Sequence, residues 1–158
     1  MPAKAEAIPA SPKRSYVDTS ALAKWYLNEE ASDRVEAYLQ SLPCAGISSL
    51  TVVEMRCLLA RRRRSAEITP EQELQCYALF RQDVEDGHLR VEPLADEHLT
   101  RSLLLMERLA DHPLRTLDAL HLAIVVAVGY DVLATADRIM ADAAKALGLK
   151  VEGFLPAG

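Results

Sequence analysis

Short β-prone runs alternate with longer stretches of helical periodicity from Ser15 onward. The β-prone runs are SYV, CAGIS, HLRVEPL, DVLAT and LKVEGF, and the segments between them carry apolar residues three and four positions apart. Strands separated by helices form β-α-β units, which build a mainly parallel sheet covered by helices on both faces. The pattern therefore predicts an α/β fold.

Caps and breakers mark the ends of the predicted helices. Asp18 or Ser20 suits the N-cap of the first helix, and Pro43 ends the second. Pro70 suits the first turn of a later helix, and Gly129 suits the C-terminal cap of the apolar helix TLDALHLAIVVAV. In an open parallel sheet, ligands bind beyond the carboxyl ends of the strands, so the residues that follow strands are the first candidates for chemistry.

The chain is long enough for one domain. Its 158 residues match the typical size of a single core, and half of them are hydrophobic. Residues 1–14 are rich in Ala, Pro and Lys and are expected to form a disordered leader, with the folded domain over residues 15–158. The most apolar run, LHLAIVVAVGY, contains His121 and falls short of the roughly 20 residues that cross a bilayer, so no membrane contact is expected.

Charge and cysteine content limit the partners and the compartment. The formal net charge of −5 argues against a broad basic surface that coats nucleic acid, but not against nucleic-acid chemistry at one site. The three cysteines lack C-x-x-C spacing, which disfavours a disulfide framework or a zinc site and favours a reducing cytoplasm. Cys57 lies within the apolar sequence VVEMRCLLA and is expected to be a small core residue.

Four carboxylates stand at chemically suggestive positions. Asp18 follows the first strand and Asp137 follows DVLAT, although either one alone is also a favoured helix N-cap. Glu54 shares a helix face with Leu50 and Leu58 and interrupts an apolar stripe. Asp118 lies on the apolar face of its helix, and its structural alternative is a first-turn acid that the helix dipole favours.

Burial of an unpaired carboxylate is costly, so these acids need a cation or hydrogen-bonding partners. An all-oxygen ligand set suits Mg²⁺ or Mn²⁺ rather than zinc. Two such ions can activate water and stabilise the leaving oxygen of an in-line displacement at phosphorus. Convergence of the four acids at one edge of the sheet would therefore indicate phosphodiester hydrolysis.

The order of these motifs strengthens that interpretation. The segments SYVDTSALAKWYL, SSLTVVEMRCLLARR, RTLDALHLAIVVA and DVLATADRIMADAAKALGLKV resemble the PIN-domain family, and more narrowly the VapC-type toxins of bacterial toxin–antitoxin pairs. D-x-S after a strand is weak evidence alone, but its combination with a helical Glu, R-x-x-D-x-x-H and T-x-D in this order is specific. The resemblance spans Ser15 to about Phe154.

The resemblance implies a PIN-like single domain with a five-stranded, mainly parallel sheet, and an endoribonuclease that depends on Mg²⁺ or Mn²⁺. It assigns catalysis and metal binding to the acidic quartet Asp18, Glu54, Asp118 and Asp137. It gives supporting positions to Ser20, Arg115 and Thr135, and the hydroxyls of Ser20 and Thr135 could bond a carboxylate or a metal-bound water. It also implies an RNA substrate, a cognate antitoxin and a homodimer.

Several residues keep two interpretations. Arg115 could contact a phosphate or pair with a nearby acid, and His121, on an apolar face, is more often a structural histidine than a base. The run Arg61 to Arg64 could contact RNA, contact an acidic antitoxin segment or face solvent at a helix C-terminus. Asp142 is expected to be a solvated helix residue.

Two other functional classes compete with the nuclease. A non-catalytic PIN-like module would sequester RNA or a protein partner without cleaving RNA, and the intact quartet argues against it. An aspartate-dependent phosphotransferase generally has D-x-D after its first strand, whereas Thr19 and Ser20 follow Asp18 here.

Overall fold

Five parallel strands form one sheet in the order β3-β2-β1-β4-β5. The structure is a computed structural model that describes residues 12–156. The strands are β1 (Ser15–Val17), β2 (Ala45–Ser48), β3 (Leu89–Glu92), β4 (Val132–Thr135) and β5 (Lys150–Gly153). The α/β fold with a parallel sheet is therefore confirmed. Most of the predicted leader, residues 1–11, lies outside the described residues, and the leader remains a prediction.

Helices cover both faces of the sheet. They are α1 (Thr19–Tyr26), α2 (Ser32–Gln40), α3 (Ser49–Arg64), α4 (Pro70–Glu85), α5 (Asp96–Arg108), α6 (Thr116–Val128) and α7 (Arg138–Ala146). Buried residues of α1 to α4 pack with Val17 and Ala134, whereas buried residues of α5 to α7 pack with Tyr16 and Leu133. Successive strand residues point to opposite faces, so β1 and β4 supply side chains to both layers of the core.

Helix ends follow the predicted signals. Asp18 and Asp137 are the N-caps of α1 and α7, and the side chain of each accepts a hydrogen bond from a backbone N–H in the first turn. Pro70 occupies the first turn of α4, and Gly129 ends α6 in the left-handed conformation, with φ of 77°. The capping alternative and the site assignment of Asp18 and Asp137 are therefore compatible with one another.

The buried stripe of α3 differs from the expected one. Its buried residues are Thr51, Met55 and Leu59, spaced four apart. Cys57 lies two positions from Met55, roughly 200° around the helix, and it is exposed. The prediction that Cys57 is a core residue is therefore wrong, because the buried residues Met55 and Leu59 lie on the opposite side of the helix.

Gly46 leaves space for a contact between two aromatic rings, those of Tyr16 and Tyr130. A Cβ added at Gly46 would collide with the hydroxyl end of the Tyr130 ring. That ring packs edge-on against the ring of Tyr16, with centroids 5.5 Å apart, and Tyr16 is paired with Gly46 across β1 and β2. The absence of a side chain at position 46 therefore lets two buried tyrosines meet above the sheet.

The parallel arrangement brings the carboxyl ends of all five strands to one edge of the sheet. Asp18 follows β1 there, α3 begins directly after β2, and Asp137 begins α7 after β4. Among residues 12–156, no helix has both the length and the apolar content needed to cross a bilayer.

Candidate active site

All four predicted acids line one open cleft of about 460 Å³ at the carboxyl edge of the sheet. The acids are Asp18, Glu54, Asp118 and Asp137. Ser20 and Arg115 line the same cleft, whereas Thr135 is fully buried behind it and contacts Asp18. Residues that are far apart in sequence therefore meet at one place, as the order of strands and helices predicts.

Asp18 is the most completely enclosed of the acids, with 5% of its surface exposed. Its Oδ1 accepts hydrogen bonds from the backbone N–H of Ala21 at 3.1 Å and from the Ser20 hydroxyl at 2.8 Å. Its Oδ2 accepts one from the Thr135 hydroxyl at 2.9 Å. Burial nevertheless raises the pKa of Asp18, although His121 and these hydrogen bonds act in the opposite direction. A cation at this carboxylate would offset the cost of its burial.

Ser20 and Thr135 act as paired supports for Asp18. The Ser20 Oγ accepts the backbone N–H of Ala136 at 2.9 Å while its own hydroxyl donates to Asp18. The Thr135 Oγ1 in turn accepts the backbone N–H of Asp137 at 3.0 Å. These bonds link the start of α1 to the loop between β4 and α7, so they fix Asp18 relative to Asp137.

Glu54 is half-buried, and its Oε2 accepts hydrogen bonds from Thr19 and from Nε2 of His121 at 2.7 Å. Burial opposes its ionisation, but the contacts with His121 and Thr19 outweigh burial and lower the pKa of Glu54. Glu54 is therefore held as a carboxylate with one oxygen already engaged. Its other oxygen, Oε1, is available to a ligand in the cleft.

His121 connects the cleft to the core. It is 3% exposed, and its Nδ1 lies 2.6 Å from the Tyr16 hydroxyl, which also donates to Ser48 at 2.8 Å. The structural role expected of a histidine on an apolar face is thus combined with a contact to Glu54. No signal in the sequence pointed to Tyr16, Thr19 or Ser48 as residues that position the acids, since their contacts join separate elements.

Arg115 bridges the remaining two acids. Its Nε lies 3.1 Å from Oδ2 of Asp118, and its Nη2 lies 3.2 Å from Oδ2 of Asp137. The Asp118 Oδ2 also accepts the backbone N–H of Arg115 at 3.0 Å, so Asp118 helps to cap α6. The hydrogen bond and the negative charge of Asp118, with a further contribution from Asp137, raise the pKa of Arg115. Of its two interpretations, pairing with nearby acids is the one present in this structure.

The donor chemistry of the cleft fits a hard divalent cation. All four acids offer oxygen atoms, which Mg²⁺ and Mn²⁺ prefer. Within residues 12–156, no three His, Cys, Asp or Glu side chains stand close enough together to hold one ion as they are. The Arg115 guanidinium lies against two of the acids, and with 72% of its side chain exposed it is free to move towards solvent. A cation held by Asp118 and Asp137 would have to displace this guanidinium from them.

Comparison with known proteins decides the family. The model of the PIN domain family matches residues 15–146. Ribonuclease VapC46 of Mycobacterium tuberculosis (strain ATCC 25618 / H37Rv) is 33% identical over 138 residues, which cover 86% of this chain and 94% of that protein. The chain belongs to the PIN-domain family. The resemblance stated from the motifs is thereby confirmed.

Solved structures support the same fold for this PIN domain. Mycobacterium tuberculosis VapC20, described as a sarcin-ricin loop cleaving toxin, superposes with a TM-score of 0.66 at 19% identity and covers 82% of this chain and 94% of its own. A chain of a toxin–antitoxin complex from Klebsiella pneumoniae superposes with a TM-score of 0.60 at 16% identity, covering 90% and 99%. At these identities the likeness concerns the fold.

Proposed function

We propose that this PIN domain is an endoribonuclease that depends on Mg²⁺ or Mn²⁺ and serves as the toxin of a toxin–antitoxin pair. The observation that carries the proposal is the placement of Asp18, Glu54, Asp118 and Asp137 around one cleft. The relationship to a protein named as a ribonuclease supports RNA as the substrate. The four carboxylates would repel a phosphodiester that approaches them directly unless a cation lay between them and the phosphate.

The four acids would hold the metal, which supplies an activated water and stabilises the leaving oxygen when it is bound. Ser20, Thr135 and the N–H of Ala21 hold Asp18 in position, and His121 holds Glu54. These partners fix the carboxylates before substrate arrives, which reduces the reorganisation needed during reaction. Arg115, released from the acids, would carry a guanidinium suited to the phosphate.

RNA cleavage tests the proposal directly. The purified protein is incubated with total RNA in Mn²⁺, in Mg²⁺ and in excess EDTA, and the RNA ends are sequenced. We expect cleavage in either metal and none in EDTA. Intact RNA under all three conditions would overturn the nuclease and support a non-catalytic module.

One observation favours such a non-catalytic module as the second candidate. Arg115 already neutralises Asp118 and Asp137, and the described residues do not present three ligands arranged for one ion. A module of this kind would bind RNA or a protein without cutting RNA. Its signature would be measurable binding of RNA that is unaffected by Mn²⁺, together with no new RNA ends.

The proposed toxin would have two protein partners, a cognate antitoxin and a second copy of this chain. The structural likeness to a chain of a toxin–antitoxin complex supports the first, and the family resemblance supports the second. We propose that the antitoxin covers the cleft, where a basic side chain would meet the acids. Light scattering at micromolar concentration is expected to give twice the mass of one chain, and the mass of one chain would contradict the homodimer.

The protein is proposed to act in the cytoplasm. The structure leaves Cys44, Cys57 and Cys76 as free thiols, which suits a reducing compartment.

A further inference from the structure

The run of four arginines at the end of α3 is divided between two faces of the helix. Each residue turns the helix by about 100°, so Arg61 points within roughly 20° of Glu54, and Arg64 within roughly 80° on the same side. Arg62 points roughly 80° to the other side of Glu54, and Arg63 points about 180° away from it. The four arginines of this run therefore do not all face the cleft.

The two arginines that do not line the cleft, Arg62 and Arg63, belong to ion pairs of the fold. Arg62 contacts Glu29 at 2.5 Å and also pairs with Glu67. Arg63 pairs with Glu73, a buried glutamate that Arg56 also contacts. Both arginines compensate carboxylates of the fold, so Arg62 and Arg63 have a structural role.

The other two arginines line the cleft that holds the acids. Arg61 and Arg64 stand beside Glu54, Cys57 and Leu58 in the wall formed by α3. Over the part of the chain that the structure describes, neither guanidinium takes part in an ion pair or a side-chain hydrogen bond. Their charges are therefore available to a ligand that enters the cleft.

The position of these guanidinium groups relative to the acids suits an extended anion. At 1.5 Å of rise per residue, Arg61 and Arg64 lie about 10 Å and about 15 Å along the helix axis from Glu54. A phosphate held at the acids would place neighbouring phosphates of the same strand farther along the wall of α3. Guanidinium groups bind phosphate oxygens through paired N–H donors, and phosphate contacts position a nucleic acid without reading its sequence.

We propose that Arg61 and Arg64 bind the backbone phosphates of RNA adjacent to the cleavage site, and that Arg62 and Arg63 do not. This inference rests on the proposed function, since it assigns the substrate contact of the same cleft. RNA is favoured over an acidic antitoxin segment because both arginines share the cleft with all four acids, where the scissile phosphodiester must lie.

The test compares two double variants that remove equal charge. Arg61→Gln/Arg64→Gln changes the cleft wall, and Arg81→Gln/Arg101→Gln is the matched control, with both positions exposed on α4 and α5 outside the cleft. Arg81 forms an exposed ion pair with Glu85, which contributes little to stability. Thermal unfolding of both variants is expected to match that of the unmodified protein.

Binding is measured by fluorescence anisotropy with a short fluorescein-labelled single-stranded RNA over a series of KCl concentrations. All proteins carry Asp18→Asn, which prevents cleavage of the probe. The Arg61/Arg64 variant is expected to bind at least about tenfold more weakly. Its plot of log affinity against log salt should be shallower by roughly 1.4, about 0.7 for each phosphate that is no longer neutralised. The control is expected to keep the affinity and slope of its parent.

Cleavage kinetics with Asp18 intact provide the second arm. The Arg61/Arg64 variant is expected to raise KM at least about tenfold with kcat within about twofold of the unmodified protein. Equal affinity and equal salt slope in both double variants would overturn the proposal. So would unchanged RNA binding with a selective loss of antitoxin affinity, which would place the two arginines on the antitoxin surface. If the unmodified protein cuts no RNA, the proposed function fails, and the binding arm still decides whether these arginines hold phosphates.

Discussion

Nε2 of His121 lies 2.7 Å from Oε2 of Glu54, and Nδ1 of the same ring lies 2.6 Å from the hydroxyl of Tyr16. The imidazole is thus fixed at both nitrogens between a buried tyrosine and an acid of the cleft. The position of Glu54 therefore depends on how α6 packs against the sheet, because Tyr16 belongs to β1 and His121 belongs to α6.

Removal of the Tyr16 hydroxyl should weaken the fold measurably. Tyr16→Phe keeps the ring contacts with His121 and Tyr130 but leaves Nδ1 of His121 and the Ser48 hydroxyl without this partner. Buried polar groups left unsatisfied cost about 1–3 kcal/mol, so the free energy of unfolding should fall by that amount. Urea unfolding followed by circular dichroism measures the change.

Tyr77→Phe is the matched control for this variant. Tyr77 is half-buried and packs against Phe80 and the Arg56 guanidinium, contacts that the ring alone provides. Its free energy of unfolding should change by less than about 0.5 kcal/mol. Equal losses in the two variants would show that the network through His121 contributes no more than an ordinary tyrosine hydroxyl.

The ionisation of Asp18 should make the metal-free protein less stable as pH rises. Burial raises the pKa of Asp18 above its usual range, so between the unfolded value near 4 and the folded value the native state binds more protons than the unfolded state. Stability then decreases with pH across that window. Asp18→Asn cannot ionise, and Asn is also a good N-cap for α1.

The difference in unfolding free energy between Asp18→Asn and the unmodified protein should therefore grow in favour of the variant from about pH 4 upward. It should level off above the folded pKa of Asp18. Urea unfolding in EDTA across a pH series measures this difference. A difference that stays constant or shrinks with rising pH would mean that Asp18 is not destabilised by its burial.

Arg115 and divalent metal should compete for the same acids. Arg115→Gln removes the guanidinium from Asp118 and Asp137, so the metal-free variant should unfold at a lower temperature than the unmodified protein. Millimolar Mn²⁺ should raise the melting temperature of both proteins, because a ligand that binds only the native state stabilises it. The increase should be larger for the variant, because no guanidinium competes with the metal for Asp118 and Asp137.

Arg101→Gln serves as the charge-matched control, since Arg101 is exposed on α5 and does not line the cleft. Its response to Mn²⁺ should equal that of the unmodified protein. A melting temperature that Mn²⁺ leaves unchanged in every protein would count against a metal site at these carboxylates.

The sequence was sufficient to predict the elements and their order, because the signals for them are local. Strand composition, the N-cap position of Asp18 and the breakers Pro43 and Gly129 each act within a few residues. The parallel order then brings the ends of β1 and β4 to one edge, so the meeting of Asp18 with Asp137 follows from the same information.

The contacts that position the acids of the cleft could not be predicted from the sequence, because they join elements that are distant along the chain. The pairing of His121 with Tyr16 and Glu54 depends on how α6 packs over β1 and α3. The prediction for Cys57 was wrong because apolar residues both precede and follow it, so the sequence does not show which stripe of α3 is buried. The arginine run looked uniform, and only the positions of its glutamate partners divide it.

The most direct test of the central claim compares two variants, in each of which one aspartate is replaced by the isosteric asparagine. Asp18→Asn alters the cleft, whereas Asp142→Asn alters an exposed acid on α7. In Mn²⁺, Asp18→Asn is expected to lower the rate of RNA cleavage by a factor of about 100 or more while remaining folded, and Asp142→Asn should cleave at the rate of the unmodified protein. Cleavage by Asp18→Asn at the rate of the Asp142→Asn variant would contradict the assignment of this cleft as the active site.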